Sequence, residues 1–236
     1  EIQSDCFKRR PTPLHVKSRC TARERHSVLE GADAQAVFFD YAHVDSSGEI
    51  SGSLPKLRVL IQLGGDSTPD WASSLETLVA QSEPAPRIDR SSDDLWILFT
   101  GGTTGNPKGV MWPHGNLIQG MKATYRGLKQ ETPQTIPELV ESVRDIKASG
   151  RVTRQLAAAP LMHGTSGIAA LTTHLTGGAV ITLEERSFSG RALFECVERH
   201  RATHLTIVGD AFSRPMLEAL GTARDRDESY DLSSIF

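Results

Sequence analysis

Residues 96–112 read Trp-Ile-Leu-Phe-Thr-Gly-Gly-Thr-Thr-Gly-Asn-Pro-Lys-Gly-Val-Met-Trp. An apolar run, Leu95 to Phe99, stops at Thr100, and Thr100 to Gly105 hold only threonine and glycine. A short apolar run bounded by turn residues reads as a buried strand. The strand gives way to a loop stripped of side-chain bulk, rich in hydroxyls, with one cation behind a proline. Glycine lets backbone N–H groups come close to a ligand, threonines donate O–H bonds, and Lys108 adds charge. Pro107 restricts the backbone so that this charge is presented from a defined place. The chemistry points to a polyphosphate, held by Thr100, Gly101, Gly102, Thr103, Thr104, Gly105 and Lys108.

Two familiar phosphate loops are excluded by spacing. A Walker A loop needs Gly-Lys-Ser/Thr, whereas Lys108 sits between Pro107 and Gly109. The dinucleotide spacing G-x-G-x-x-G is absent between Gly101 and Gly109.

Outward from the loop, strand and helix patterns alternate. "QAVFFD" (35–40) and "LRVLIQL" (57–63) read as buried strands. Trp71, Leu75, Leu78 and Val79 share one helical face, and residues 82–94 form a polar, proline-bearing linker. "GVMW" (109–112) returns as a strand, followed by a helical stripe of Leu117, Ile118, Met121, Tyr125 and Leu128. A further amphipathic helix has Pro137 in its first turn and Gly150 beyond its end. Strands are then expected at 155–160, 179–183 and 204–209, with helices near 164–175, 190–200 and 210–220. This spacing argues for an α/β fold with mostly parallel sheets flanked by helices. In such sheets ligands gather at the carboxyl ends of strands. "TGGTTGNPK", "PLMHG" and "VGDAF" all leave such ends.

Bulk properties narrow the function classes. The 236 residues suit one large or two small domains, 38% hydrophobic and 23% charged with a net charge of −3. No like-charge block suggests a nucleic-acid partner, and "FKRRP" (7–11) reads as a solvated turn. No apolar run reaches the roughly 20 residues of a membrane span. Cys6, Cys20 and Cys196 form no CxxC and leave an odd count, which suits reduced thiols and a cytoplasmic setting.

The loop and four other segments resemble the adenylate-forming enzymes, in particular the acyl-CoA synthetase branch. "ILFTGGTTGNPKGVM" is similar to that family's phosphate-binding signature. "APLMHGTSG" (159–167), "LTIVGDAFSRPMLEAL" (205–220) and "SYDLSSIF" (229–236) come after it in the family's order. Upstream, "PLHVKSRCTARERHSVLEGADAQAV" (13–37) is similar to an early segment of the family, with Lys17 to Cys20 departing from its usual Asn-Tyr-Arg-Tyr.

The resemblance implies a partial N-terminal adenylation (AMP-binding) domain over residues 1–236, without the C-terminal lid domain that carries the family's catalytic lysine. No catalytic residue is therefore assigned within the chain. It implies ATP, Mg²⁺ and CoA, a small carboxylic acid as substrate, and formation of an acyl-adenylate, then a thioester. His163 and Gly164, with Gly209 and Asp210, would line the acyl and adenylate pocket.

Bland readings stand beside these. His163 also suits a satisfied loop or core histidine, and Asp210 suits a helix cap. Ser166 lacks the G-x-S-x-G frame of a hydrolase nucleophile. His200 and His204 are four apart but straddle a helix-to-strand junction, so no metal site is expected there. Leu193, Phe194 and Val197 read as core, with Cys196 a small buried hydrophobe beside them. Because the family's Y-G-x-T-E motif does not occur before Phe236, the piece is expected to be inactive alone. A non-catalytic nucleotide- or acyl-binding remnant is the alternative.

Overall fold

The computed structural model describes residues 2–17, 20–100, 108–128, 130–185 and 187–235, the side chain of Thr100 excepted. The chain forms two compact units, residues 1–111 and 112–236.

The first unit opens with α1 (Ile2–Arg9) and α2 (Ala22–Gly31). Thr21 and Glu24 close a reciprocal capping box on α2, each accepting from the other's backbone N–H. Next come β1 (Ala36–Asp40), α3 (Val44–Gly48), β2 (Val59–Leu63), β3 (Ser73–Ser74) and α4 (Leu75–Gln81). β1, β2 and β3 form a parallel sheet in that order. Its core gathers Leu29, Phe39, Ile50, Leu54 and Leu60, with Trp71 stacked on Phe39 at 5.5 Å.

Two expectations need correction here. β1 is half-buried rather than buried: Phe39 faces the core while Phe38 is 38% exposed. The helix expected from Trp71 onward begins only at Leu75, because Ser73–Ser74 pairs with β2 and Ser74 then caps α4. Val79 is accordingly 68% exposed.

β4 (Leu95–Thr100) and β5 (Lys108–Pro113) form a separate two-stranded sheet. β4 is deeply set, with Trp96 fully buried and Leu98 buried. Its other edge is bridged in parallel by Leu14, and the Ile97 N–H donates to the Pro13 carbonyl at 3.1 Å. The basic cluster at 7–11 is not a free turn. Phe7 meets Trp96 edge-on at 6.0 Å, Arg9 donates to the Pro86 carbonyl, and Arg10 pairs with Asp94 at 2.9 Å. The cations therefore fasten the linker that leads into β4.

The second unit runs α5 (His114–Gly127), α6 (Ile136–Ala148), β6 (Arg154–Ala157), α7 (Gly164–Leu175), β7 (Ala179–Thr182), α8 (Gly190–His200), β8 (His204–Thr206) and α9 (Asp210–Asp225). α6 has Pro137 in its first turn as read from sequence, is capped by Thr135, and is followed by Gly150 at φ +72°. The stripe on α5 buries Leu117, Met121 and Tyr125 but leaves Ile118 exposed. The Tyr125 hydroxyl donates to the Leu175 carbonyl at 2.8 Å.

The sheet is parallel, in the order β7-β6-β8. The chain moves one way along it through α7 and the other way through α8. Right-handed crossovers then put these helices on opposite faces. Contacts agree: α7 packs against α5, and α8 packs against α9. Side chains alternate in β6. Leu156 points into the core with Leu193, Phe194 and Val197, while Gln155 faces Thr173 of α7.

Candidate functional site

Lys108 is the first residue of β5 and is exposed at the edge of its unit. Thr100 ends β4, on the near side of the same loop. Gly101, Gly102, Thr103, Thr104 and Gly105 lie outside the described residues. Gly109 has a role that the phosphate argument missed. A Cβ there would sit 2.9 Å from Ile97 Cγ2 and 3.2 Å from the Phe99 ring. Cross-strand packing, rather than approach to a ligand, demands glycine after Lys108. The two aromatic and branched residues opposite were the available signal.

The remaining predicted residues fall together in the second unit. α7, α8 and α9 each come after a strand of the parallel sheet, so all three begin at its carboxyl edge. α8 is capped by Ser189, whose hydroxyl accepts from the Ala192 N–H. α7 and α9 start from His163 and Gly209, neither with a side-chain cap. Their first-turn N–H groups are not taken by a side-chain cap, although at α9 the Asp210 carboxylate sits at the positive end of the dipole.

The two starts are neighbours because β6 and β8 are paired. The Ala159 N–H, just past β6, donates to the Thr206 carbonyl at the end of β8 at 3.0 Å. β6 leads to a helix on one face and β8 to a helix on the other. The crevice outside their carboxyl ends is thus a topological switch point, where open α/β sheets bind ligands.

Gly209 holds φ 63° and ψ −166°, a conformation almost confined to glycine. A Cβ on it would meet nothing within 4 Å, so the backbone and not the space requires glycine. The first turn of α9 is pinned by Phe212, edge-on to Phe188 at 4.7 Å.

Asp210 is the first residue of α9 rather than its cap, which is Gly209. There its carboxylate accepts from the Ser213 hydroxyl at 3.5 Å and opposes the helix dipole favourably. His163 is exposed and does not cap α7 through its ring, which removes the reading of a satisfied core histidine. Ser166 is fully buried, so it is no exposed nucleophile, and its hydroxyl has no partner among the described residues. Cys196 packs beside the core of α8 and α9, where burial raises its thiol pKa.

Beneath the crevice runs a buried polar link that the sequence reading missed. Thr173 donates to Gln155 Oε1 at 2.7 Å, and Gln155 Nε2 donates to the Thr206 hydroxyl. A glutamine heading an otherwise apolar strand was its only signal.

A separate cavity of about 300 Å³ lies along α6 and the segment before it. It is lined by Glu131, Glu138, Glu141 and Asp145 and includes none of the predicted residues. Hydrogen bonds from Gln134 N–H and Thr135 hold the Glu138 carboxyl below its usual pKa, and four acidic side chains make this wall a poor match for phosphate. Among the described residues no cluster of His, Cys, Asp and Glu is arranged to hold a metal ion. No helix among them is long and apolar enough to cross a membrane.

Several known proteins resemble this chain. The medium-chain acyl-CoA ligase Mig of Mycobacterium avium is 31% identical over 223 residues, which cover 91% of this chain and 39% of that protein. The 3-oxocholest-4-en-26-oate–CoA ligase of Rhodococcus rhodochrous is 29% identical over 236 residues, covering 98% and 41% respectively. The chain thus spans about two fifths of the length of these curated relatives. Among solved structures, a red-emitting luciferase of Phrixothrix hirtus superposes with TM-score 0.69 at 17% identity, covering 98% of this chain and 52% of that one. The amide bond synthetase McbA of Marinactinospora thermotolerans gives 0.67 at 23%, covering 98% and 40%. These two establish the fold alone. The family model described as AMP-binding enzyme matches residues 6–236, and the chain belongs to that family.

Proposed function

We propose that this chain is part of the large N-terminal domain of an ATP-dependent acyl-CoA synthetase. The reading is carried by the family match across residues 6–236, with Lys108 opening β5 and the glycine- and threonine-rich sequence 101–105 lying between it and the buried strand β4. The reaction joins a carboxylate to the α-phosphorus of ATP. An acyl O–P bond forms, the bond between the α- and β-phosphates breaks, and pyrophosphate leaves with the electron pair. The CoA thiol, losing its proton, then attacks the acyl carbon and releases AMP.

The chain's own groups act by electrostatics. Thr100, the 101–105 segment and Lys108 would neutralise the β- and γ-phosphates as charge builds on the leaving pyrophosphate. N–H groups at the starts of α7 and α9, with His163, Gly164, Gly209 and Asp210 around them, would receive the carboxylate and adenylate. Exposed Leu161 and Val208, on the two loops of the crevice, support an apolar acyl chain as substrate. Mg²⁺ would enter with the nucleotide, bound through phosphate oxygens. The three free cysteines support a cytoplasmic setting.

The test is carboxylate-dependent ATP–pyrophosphate exchange by the gene product that carries these residues. Exchange driven by fatty acids supports the reading. Phosphoryl transfer without AMP formation contradicts it.

A further inference from the structure

We propose that Gln155 is a positioning residue whose amide sets the register of the two loops at the crevice. It thereby fixes how the starts of α7 and α9 meet an anionic group, the adenylate in the function proposed above, on which this inference rests.

Gln155 is 2% exposed in a strand whose next residue, Leu156, is wholly buried among apolar side chains. Burying a primary amide is costly unless both its ends are bonded. Here both are. Oε1 accepts from Thr173 of α7 at 2.7 Å, and Nε2 donates to Thr206 of β8. Thr206 in turn takes the Ala159 N–H on its carbonyl, at the root of the loop that carries His163. One side chain therefore ties the C-terminal half of α7, more than two turns from its start, to β6 and to Thr206, the last residue of β8, from which the loop to α9 departs.

An apolar trio of similar volume would fill this space with little loss of stability, since replacing all partners of a buried bond together is often nearly neutral. What an apolar trio lacks is direction. The amide bonds its two hydroxyl partners only within hydrogen-bond distances and angles, so the linked arrangement holds α7, β6 and β8 in one register.

The experiment compares the whole chain with Gln155→Leu and with the triple variant Gln155→Leu/Thr173→Val/Thr206→Val. Thermal midpoints are read together with amide hydrogen exchange at residues 159–166 and 207–212. Gln155→Leu strands two hydroxyls and lowers Tm by roughly 4–8 °C. The triple variant recovers Tm to within about 3 °C. It nevertheless keeps exchange in both loops at least about tenfold faster than in the parent, a loss of about 1.4 kcal/mol of local protection. Its affinity for a non-hydrolysable acyl-adenylate analogue falls by a similar factor.

Parent-like exchange in a triple variant with restored Tm would overturn the proposal, because the amide then only fills space. Should the triple variant not fold, Thr206→Val and Thr173→Val decide. The proposal requires the first to loosen 207–212 about tenfold more than the second, and equal effects refute it. If the parent binds no adenylate analogue, the functional reading fails, while the exchange comparison still decides the role of Gln155.

Discussion

Replacing Gly209 by alanine isolates a backbone effect at the candidate site. Its φ of 63° with ψ −166° lies in a region essentially reserved for glycine, and a Cβ there meets nothing within 4 Å. No clash contributes, so the whole cost is conformational, about 1–3 kcal/mol. Gly221 supplies the control. It lies inside the same helix, α9, and a Cβ on it also meets nothing within 4 Å. Alanine there removes glycine's excess entropy in the unfolded chain and stabilises by about 0.5–1 kcal/mol. With an m-value of about 2 kcal/mol per molar urea, Gly209→Ala lowers the unfolding midpoint by roughly 0.5–1.5 M. Gly221→Ala raises it by roughly 0.25–0.5 M. The assay is urea unfolding followed by helical circular dichroism, with equal slopes required for the comparison. Shifts of the same sign, or an unchanged midpoint for Gly209→Ala, would refute the conformation assigned to the start of α9.

Other substitutions test separate parts of the account. Gly109→Ala drives a methyl into Ile97 and the Phe99 ring, 2.9 and 3.2 Å away, and should cost about 1–3 kcal/mol in urea unfolding, with a smaller cost in an Ile97→Ala background, which removes the clashing Cγ2. Tyr125→Phe removes the donor to the Leu175 carbonyl from a fully buried site and should cost about 1–2 kcal/mol by the same measurement. Hydrogen bonds from the Ser233 hydroxyl and N–H hold the Asp231 carboxyl below its usual pKa, and Arg201 adds to the effect. A depressed pKa stabilises the fold above the unfolded value and ceases to as pH falls through the folded one. The stability difference between the parent and Asp231→Asn should therefore be present at neutral pH and shrink as pH drops below about 3.9.

The parallel sheet of the second unit was legible because period-2 and period-3.6 patterns alternate cleanly between residues 154 and 225. α7 and α8 span the expected residues, 164–175 and 190–200. α9 ran on to Asp225, beyond the expected Leu220, because the helix carries through Gly221 rather than stopping at it. Less was legible where tertiary pairing overrides local pattern. Ser73–Ser74 has no strand signature of its own and is extended because β2 offers it a partner. The cations at 7–11 looked solvated, but Arg10 found Asp94 eighty-four residues away.

At the site, the residue types around the crevice could be read from loops leaving strand ends. Their grouping into one place could not, because it depends on β6 lying beside β8, a long-range pairing. Gln155 was overlooked for the same reason: its two partners come from elements far apart in sequence, residues 173 and 206.

The central claim is that Lys108 and its loop handle the leaving pyrophosphate of an adenylation. The most direct measurement is carboxylate-dependent ATP–pyrophosphate exchange with Lys108→Ala, in the gene product carrying these residues, alongside binding of the carboxylate alone. The account predicts exchange lowered on the order of 10²–10³-fold with carboxylate binding little changed. Exchange at the parent rate would contradict it.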